Sequence, residues 1–273
     1  MPARFEGKVA IITGAAHGLG ASHALSFARE GATVVVADIA HDLPEARYAM
    51  GSEGEMNSVV KEIRGMGGRA LGIRCDVSKP GEVENMVKRA AEEFGKIDIL
   101  VNNAGIAFVA TPIWELPEKS WDLTVDIMLK GTFLCSKYVL PHMIKQRYGK
   151  IVNTGSIGAR GNRHNAAYSA VKAGIHVLTL AMAKDLGEYN INVNCVSPGC
   201  VYTPMQRGAI KDAAVDMGIP EDQMYAEVCK RFHILGREIT AQDITNGVLF
   251  LCSEEARNVN GHVLYVDGGF LGI

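Results

Sequence analysis

A glycine-rich turn near the N-terminus constrains the fold of this chain more than any other feature. Residues 8–13 form a short apolar run with β-branched side chains, Gly14, Gly18 and Gly20 follow, and residues 21–29 are apolar at helical spacing. A strand, a glycine turn and a helix N-terminus together suit a dinucleotide pyrophosphate, because small residues let backbone N–H groups approach the phosphates. The pattern predicts a nucleotide-binding turn, with a tight turn that binds nothing as the alternative.

A second candidate strand ends in an acidic residue at the spacing of a ribose ligand. The run from Thr33 continues to Asp38, which lies 18 residues beyond Gly20. A carboxylate about 20 residues past the turn commonly meets the adenosine ribose. Neither Lys nor Arg occupies the three positions after Asp38, and His17 stands within the turn. A 2′-phosphate would face a carboxylate and no fixed cation, so the sequence favours NAD over NADP.

Candidate chemistry lies further along the chain, at Ser156, Tyr168 and Lys172. A Tyr and a Lys four residues apart share one face of a helix, where the ammonium is expected to lower the pKa of the phenol. A phenol of lowered pKa is a usable acid or base. Taken alone, the pair could be a solvated helix face and the serine a strand-end cap. Together with the nucleotide site, the three predict hydride transfer between a nicotinamide and a carbonyl or alcohol carbon.

Composition excludes several other classes of protein. The chain has 273 residues, a net charge of −2 and both signs of charge scattered, so neither nucleic acid nor an anionic membrane is an expected partner. It has no apolar run near the ~20 residues of a membrane span and no apolar signal-peptide core at its start. The six cysteines and eight histidines form no metal-binding spacing. We expect a cytoplasmic protein with reduced thiols and without a metal site.

Alternating strand and helix patterns extend over residues 1–273 as a single domain. Candidate strands cover residues 8–13, 33–38, 69–75, 97–101, 150–154, 191–196 and 262–266, and candidate helices cover 21–29, 53–66, 117–146, 165–188 and 241–251. Such alternation predicts an α/β fold with a Rossmann-type, doubly wound parallel sheet. Residues 41–52 interrupt the pattern as an inserted loop, and a polar, Met-rich segment covers 202–237.

Several ordered motifs make residues 7–269 similar to the short-chain dehydrogenase/reductase family. Beyond the glycine turn and the Ser–Tyr–Lys set, they are Asp76-Val77, Asn102-Asn-Ala-Gly105, Pro198-Gly199 with Thr203, and Val266-Asp-Gly-Gly269. The resemblance implies a small-molecule substrate and a homo-oligomer, usually a tetramer formed through the two long helices. It implies Ser156, Tyr168 and Lys172 as catalytic residues. The implied cofactor contacts are Gly14, His17, Gly18, Leu19, Gly20, Asp38, Asp76, Val77, Asn103, Ala104, Gly105, Tyr168, Lys172, Pro198, Gly199, Val201 and Thr203.

One position departs from the family's pattern. Where the family usually carries an Asn in the long helix, just before Leu-x-Gly, this chain has Met128. That Asn resembles a holder for a water that links the catalytic Lys to solvent, whereas a thioether accepts hydrogen bonds weakly and donates none. A proton path from Lys172 would then run through backbone groups and water, or be slower.

Substrate recognition is expected from the segment that follows Thr203. In the family this segment usually closes over the substrate, and here it offers an adaptable apolar lid made of Tyr202, Met205, Met217, Met224, Tyr225, Phe232 and His233, although each could instead be an ordinary core residue. The inserted loop 41–52 resembles a subgroup with extended loops, similar to carveol dehydrogenases, that oxidises terpenoid or other secondary alcohols. Arg160, Arg163 and His164 precede Tyr168 at the expected site mouth, where they would recognise an anionic or sugar-like substrate unless they are simply solvated.

Three functions are consistent with these residues. The first is an NAD-dependent alcohol dehydrogenase/reductase acting on secondary alcohols or ketones with Tyr168 as acid/base. The second is an NADPH-dependent 3-oxoacyl thioester reductase on the same scaffold, against which Asp38 argues. The third is a nucleotide-bound regulatory protein without turnover, for which Met128 is the only support. We favour the first.

Overall fold

A parallel sheet organises the protein, for which a computed structural model describes residues 3–46, 48–108 and 110–270. The strands found in these ranges are β1 Val9–Thr13, β2 Thr33–Asp38, β3 Ala70–Arg74, β4 Ile99–Asn102, β5 Gly149–Thr154, β6 Ile191–Pro198 and β7 Val263–Val266. They pair in parallel in the order β3-β2-β1-β4-β5-β6-β7. The predicted Rossmann-type sheet is confirmed. Its order reverses between β1 and β4, and a crevice for ligands opens at the carboxyl ends of strands at such a point.

Helices cover both faces of the sheet. They are α1 Gly18–Arg29, α2 Glu53–Gly65, α3 Pro80–Phe94, α4 Glu118–Thr124, α5 Gly131–Gln146, α6 Ala166–Leu186, α7 Pro204–Met217, α8 Glu221–Phe232 and α9 Ala241–Cys252, with a π-helical segment, Val125–Lys130, between α4 and α5. Apolar side chains alternate between the two faces of each strand. Ile11 packs toward a core with residues of α3, α5 and α6, whereas Ile12 packs toward residues of α1, α2 and α9.

Three regions differ from the elements predicted from the sequence. Helix α3 is not among the predicted elements, although Val83, Val87 and Ala90 are buried at helical spacing among charged residues. The predicted helix 117–146 is divided by the π-helical segment, because that stretch makes i→i+5 hydrogen bonds. The segment 202–237, for which no helix bounds are predicted from the sequence, holds two helices, α7 and α8.

Helix α6 is long and apolar enough to be mistaken for a membrane span. Together with the turn after it, it covers 24 residues, Ala166–Tyr189, and an 18-residue window within them has a mean hydropathy of 1.3, which the search for apolar runs in the sequence does not predict. The face with Val171, Lys172 and Ile175 is buried against the sheet. The apolar character of α6 is therefore that of a core helix with a partly exposed outer face.

Candidate active site

One large cleft lies along the carboxyl ends of β1 to β6. It holds about 1180 Å³ of empty space, including the part that opens to solvent. The structure brings nearly all of the site residues expected from the sequence to this cleft. Its lining includes Gly14, His17, Gly18, Leu19, Asp38, Asp76, Val77, Asn103, Ala104, Gly105, Ser156, Tyr168, Lys172, Pro198, Gly199, Val201 and Thr203. Gly20 is the exception and does not line it.

Gly20 instead shapes the turn from beneath. A Cβ added at Gly20 would lie 2.0 Å from the Gly14 carbonyl oxygen, and one at Gly14, where φ is +64°, would lie 2.8 Å from Ala104 Cα. Both positions therefore require glycine for close backbone approach. The His17 side chain makes no cap bond to α1, and the first turn of this fully described helix has no acidic residue. The N-terminal N–H groups of α1 are thus suited to an anion.

Asp38 connects β2 to the glycine turn. Its Oδ2 accepts from Ala16 N at 2.9 Å and its Oδ1 accepts from Ala40 N at 3.0 Å. The side chain is 4% exposed, and its carboxylate retains lone pairs for a ribose hydroxyl. Lys172 is the only Lys or Arg among the lining residues that the structure describes. It bonds the end of β5, which lies three strand spacings, roughly 14 Å, from β2. A 2′-phosphate beside Asp38 would meet no cation from these residues.

Two adjacent asparagines fix the middle of the cleft. Asn103 Nδ2 donates to Thr13 O at 3.0 Å and to Gly14 O at 3.2 Å. Asn102 Nδ2 donates to Ser136 Oγ at 3.1 Å and to Asn153 Oδ1 at 2.9 Å. Asn103 holds the glycine turn, and Asn102 ties β4 to β5 and α5. These bonds steady the centre of the sheet, as the family resemblance implies for this motif.

The three expected catalytic side chains meet at the end of β5. Helix α6 presents Tyr168 and Lys172 to the cleft, with Lys172 Nζ 5.5 Å from the Tyr168 ring centroid. Lys172 Nζ donates to Thr154 O at 2.7 Å. Ser156 Oγ accepts from Gly158 N at 3.0 Å and also hydrogen-bonds the Tyr168 hydroxyl. The geometry places a hydroxyl, a phenol and an ammonium at one wall of the cleft.

Burial governs the protonation of this set. Desolvation raises the pKa of the Tyr168 phenol above its usual value, and the hydrogen bond with Ser156 offsets only part of that rise. Desolvation also lowers the pKa of Lys172 to about 8. The lowered pKa that the sequence predicts for Tyr168 is therefore wrong in direction. The cost of burying each charge exceeds the attraction between the two groups.

Met128 lies inside the π-helical segment, at the wall of the same cleft. Its side chain is 1% exposed, and its Sδ would lie 3.4 Å from a Cβ on Gly105. Single-turn π segments recur at functional sites. Met128, which stands where the family usually has Asn, therefore lies at the wall of the cleft near the catalytic residues. A proton path there would rely on backbone groups and water.

The inserted loop forms a cover that the sequence does not predict in detail. Leu43, Tyr48, Met50 and Gly51 line the cleft, and the Tyr48 hydroxyl donates to Gly105 O at 3.4 Å. Burial raises the pKa of Tyr48. The loop ends at Ser52, which caps the N-terminus of α2. A capping serine is a sequence signal for the start of a helix, so Ser52 could have located the end of the loop. Tyr48 is the side chain of this loop that sequence reasoning missed.

Most of the residues expected in the lid do not reach the cleft. Of the seven, only Met205 lines it, together with its neighbours Pro204 and Gln206. Met217 is 62% exposed, and Tyr225 packs inside the lid against Ile210 and Cys229. The interpretation as core residues of the lid is correct for Met224 and Tyr225, whereas Tyr202 bonds Glu221, Phe232 stacks on Phe270 and His233 is buried.

The basic residues before Tyr168 also lie outside the cleft. Arg160 stands over the Tyr265 ring at 4.6 Å, and neither Arg160 nor Arg163 lines the cleft. His164 lines a separate small cavity beside Tyr168. The hypothesis that these arginines recognise an anionic substrate has no support in their placement.

Comparison with known proteins identifies the family. A family model described as enoyl-(acyl carrier protein) reductase matches residues 14–271. A dehydrogenase subunit from Thauera aromatica that acts on (2S)-[(R)-hydroxy(phenyl)methyl]succinyl-CoA is 39% identical, with 97% of this chain and 96% of that protein covered. The chain belongs to the short-chain dehydrogenase/reductase family. These enzymes are oxidoreductases, and the predicted family and enzyme class are confirmed.

Further members of this family show the range of related activities. A 3-oxoacyl-[acyl-carrier-protein] reductase from Thermotoga maritima is 37% identical, with 98% of this chain and 99% of that protein covered. The crystal structure of carveol dehydrogenase from Mycobacterium avium in complex with NAD has a TM-score of 0.94 and 32% identity, covering 98% of each chain. L-Sorbose reductase from Gluconobacter frateurii, complexed with NADPH and L-sorbose, has a TM-score of 0.90 and 28% identity over the whole of both chains.

Proposed function

We propose that this short-chain dehydrogenase/reductase transfers hydride between NAD(H) and a secondary alcohol or ketone, with Tyr168 as its acid/base. The observation that carries the proposal is the meeting of Ser156, Tyr168 and Lys172 in the cleft that also contains Asp38. Carveol dehydrogenase, similar over nearly the whole chain, binds NAD. When bound, NAD supplies the site that accepts or donates the hydride.

This chain's residues fit such a cofactor. Gly14 and Gly18 leave room for the pyrophosphate at the N-terminus of α1, and Asp38 offers acceptors for a ribose. At the other end, Lys172 retains ammonium donors beyond the one given to Thr154 O, and these suit a second ribose. The wall formed by Pro198, Gly199 and Val201 would hold the nicotinamide end.

Proton transfer would fall to Tyr168. In ketone reduction the phenol, which burial keeps protonated, donates its proton to the substrate oxygen as hydride reaches the same carbon. In alcohol oxidation Tyr168 must first pass its proton toward Lys172 and solvent, and it then takes the hydroxyl proton as hydride leaves the carbon. Ser156 would hydrogen-bond the substrate oxygen and orient it, which brings that oxygen next to the phenol. Acid/base assistance of this kind contributes about 10²–10⁴-fold in rate, and orientation contributes several kcal/mol more.

The cofactor part of the proposal rests on Asp38. A carboxylate accepts from ribose hydroxyls but repels a 2′-phosphate. We expect kcat/KM to favour NAD over NADP by at least about tenfold, or about 1.4 kcal/mol. Asp38→Ala combined with Ile39→Arg should shift the preference toward NADP, and Ile39→Arg alone serves as the control for the added cation.

A substrate screen tests the whole proposal. Secondary alcohols and polyols are incubated with NAD or NADP, and the reduced cofactor is measured by absorbance, with ketones tested in reverse. Turnover with NAD supports the proposal, whereas equal use of both cofactors contradicts the cofactor assignment. NAD binding without turnover on the whole panel would instead support the regulatory alternative.

A second candidate function comes from the 37% identity to a 3-oxoacyl-[acyl-carrier-protein] reductase. Its predicted form in this chain is NADPH-dependent, and Asp38 opposes that cofactor. Reduction of a 3-oxoacyl thioester with NADPH, at a rate above that of every ketone with NADH, would favour this candidate over our first choice.

We also propose that the enzyme is a cytoplasmic homo-oligomer, with a tetramer as the expected form. Phe133 of α5 and Val177 and Leu180 of α6 are 47%, 69% and 45% exposed, and an isolated subunit rarely leaves such an apolar face in water. All six cysteines are free, as a reducing compartment requires. Light scattering of the purified protein tests the assembly, and Val177→Asp should weaken it.

A further inference from the structure

A buried histidine joins the two ends of the lid. His233 follows α8 directly, is 1% exposed and lies outside the predicted catalytic set. Its Nδ1 lies 3.0 Å from Arg237 O, and its Nε2 lies 3.3 Å from Cys200 N. Cys200 comes shortly before α7, so the imidazole contacts the chain on both sides of the α7–α8 lid.

The two partners of His233 fix its protonation pattern. A carbonyl oxygen only accepts, so Nδ1 must carry a hydrogen and donate to Arg237 O. The backbone N–H of Cys200 only donates, so Nε2 must present its lone pair. Both contacts demand the same neutral tautomer, in which one nitrogen donates and the other accepts.

The peptide that His233 holds is part of the cleft wall. Gly199 lines the cleft, and its N–H donates to Val266 O at 3.0 Å. A Cβ added at Gly199 would lie 2.9 Å from Asp267 Cα and 3.2 Å from His233 Nε2. The Gly199–Cys200 peptide therefore lies between the end of β7 and the imidazole, with no space for a side chain at Gly199.

The lid is attached to the rest of the molecule mainly through these ends. Its buried residues Ile210, Tyr225 and Cys229 form a cluster separate from the two cores that flank the sheet. Beyond His233, Leu235 N donates to Gly268 O at 3.1 Å, and His233 pairs with Phe270 in an isolated bridge. The lid thus has a small core of its own, and its end meets the rest of the molecule where His233 and Leu235 contact the turn after β7.

We infer that His233 is a positioning residue, whose neutral imidazole holds the Gly199–Cys200 peptide in the shape that receives the nicotinamide end of the cofactor. It acts through the backbone rather than by touching a ligand, since it does not line the cleft. The inference rests on the proposed function for the identity of the cofactor. It adds a residue to the machinery that neither the glycine turn nor the Ser–Tyr–Lys set contains.

Two amide substitutions distinguish the hydrogen bond at His233 Nε2 from the one at its Nδ1. His233→Gln can place an acceptor near the Nε2 position, whereas His233→Asn can place only a donor near Nδ1. NADH binding is followed by fluorescence, without substrate. We expect His233→Gln to bind NADH within about twofold of the unmodified protein, and His233→Asn to bind it about fivefold more weakly, the effect of one net hydrogen bond.

A second buried histidine provides the matched control. His23 is 0% exposed and its Nδ1 lies 2.8 Å from Thr245 Oγ1, between α1 and α9 and away from the cleft lining. His23→Gln, which places no group at the Nδ1 position, should lower the unfolding midpoint but leave NADH affinity within about twofold, since the loss of this buried imidazole bond affects stability alone. Equal NADH affinity in His233→Asn and His233→Gln would overturn the inference.

A spectroscopic measurement keeps the test decisive if a variant fails to fold. In histidine-labelled protein, the nitrogen spectrum should assign to His233 a protonated Nδ1 and an unprotonated Nε2, and the opposite tautomer would overturn the inference. The unmodified protein also separates this inference from the proposed function. If it binds neither NADH nor NADPH, the proposed function fails, whereas if it binds NADH and His233→Asn binds equally well, only the role of His233 fails.

Discussion

The cleft has a floor and a roof that are built on different principles. The floor comprises residues at the ends of the strands, Gly14, Asp38, Asn103 and Ser156, together with Tyr168 and Lys172 of α6 and Met128 of the π-helical segment. The roof comprises residues 39–46, 48–51 and 204–232. On the floor, polar side chains bond the main chain of neighbouring strands at 2.7–3.2 Å, as Lys172 does with Thr154 O and Asn103 with Gly14 O. The roof contributes few lining side chains, and its lid packs mainly on its own small core.

This difference in construction suggests different tasks: the floor carries the reacting groups, and the roof selects the substrate. Floor side chains are fixed by backbone groups of the sheet, so a small displacement there would disturb several strands together. Roof side chains meet the cleft through local packing that other apolar residues could supply. Substitutions on the floor are therefore expected to change the rate of reaction, and substitutions in the roof to change affinity modestly.

The largest contrast should appear between two half-buried tyrosines. Tyr168→Phe removes the proton-transfer group of the floor and should lower turnover at least about 10²-fold, with NADH affinity nearly unchanged. Tyr48→Phe removes a roof hydroxyl that donates to Gly105 O at 3.4 Å, and turnover should stay within about fivefold. Steady-state kinetics of both variants with one substrate provides the comparison. Comparable losses in the two variants would remove the distinction between floor and roof.

A second prediction concerns the free energy of unfolding, which is lowered because the charged Lys172 is buried in the floor. Burial lowers the pKa of Lys172 from 10.5 to about 8, which corresponds to a cost of about 3 kcal/mol, partly offset by its bond to Thr154 O. Between pH 8 and 10.5 the unfolded chain binds more protons than the folded one, so stability from this group rises with pH. The cost is present in full below pH 8 and fades toward pH 10.5.

Replacing this lysine should therefore stabilise an inactive enzyme. Lys172→Met is expected to raise the free energy of unfolding by about 1–3 kcal/mol at pH 7, and the gain should shrink as pH rises above 8. Denaturant unfolding at pH 7, 8.5 and 9.5 measures it. Lys184→Met, at an exposed position of the same helix, should change stability by less than about 0.5 kcal/mol at each pH. A gain for Lys172→Met that grows with pH would contradict the assigned direction of the pKa.

The floor is also the part of the site that sequence patterns could predict. Asp38 and Gly14 are set by strand ends and a turn, whose spacing is local and visible in the chain. The pKa of Tyr168 was predicted in the wrong direction, because the depth of burial depends on tertiary packing that spacing does not contain. For the same reason Tyr48 was missed as a contributor to the site, and His233 was expected in the lid but without its contact to the cleft wall. Their partners, Gly105 and Cys200, lie 57 and 33 residues away.

Helix α3 shows a different failure of prediction. Its buried positions Val83, Val87 and Ala90 follow helical spacing, but the apolar stripe is narrow and the rest of the helix is charged. In the fold, this stripe packs against α5 at the edge of a core. The sheet could be predicted from its long apolar runs. A surface helix with few apolar residues can be recognised only when the helix it packs against is known.

A third prediction concerns the floor position at which the chain departs from its family. Met128→Asn places an amide into a site that is 1% exposed. If water and the backbone of the π-helical segment already carry protons from Lys172, activity should stay within about tenfold in either direction, since a water bridge nearly equals a direct bond. Turnover and NADH binding are compared with the unmodified protein. An unmodified protein that is silent, together with an active Met128→Asn, would support the regulatory alternative.

The smallest effects should come from the roof, where one helix offers a matched pair. Met205, at the start of α7, lines the cleft, whereas Met217, at its end, is 62% exposed. Met205→Ala removes apolar contact from the substrate side and should raise the KM of an apolar alcohol about threefold to tenfold with kcat little changed. Met217→Ala should leave both constants within about twofold, although the sequence placed both methionines in one lid.

The pair of methionines also tests whether the lid acts as one body. If Met217→Ala raised KM as much as Met205→Ala, the outer end of α7 would have to fold inward over the substrate, and the separate lid core around Tyr225 could not remain intact. A change confined to Met205→Ala, largest for bulky apolar alcohols and absent for small ones, would instead place substrate selection in the few roof side chains that reach the cleft. If Met205 contacts the substrate and not the cofactor, NADH affinity should be equal in both variants, and this equality distinguishes loss of substrate contact from damage to the cofactor site.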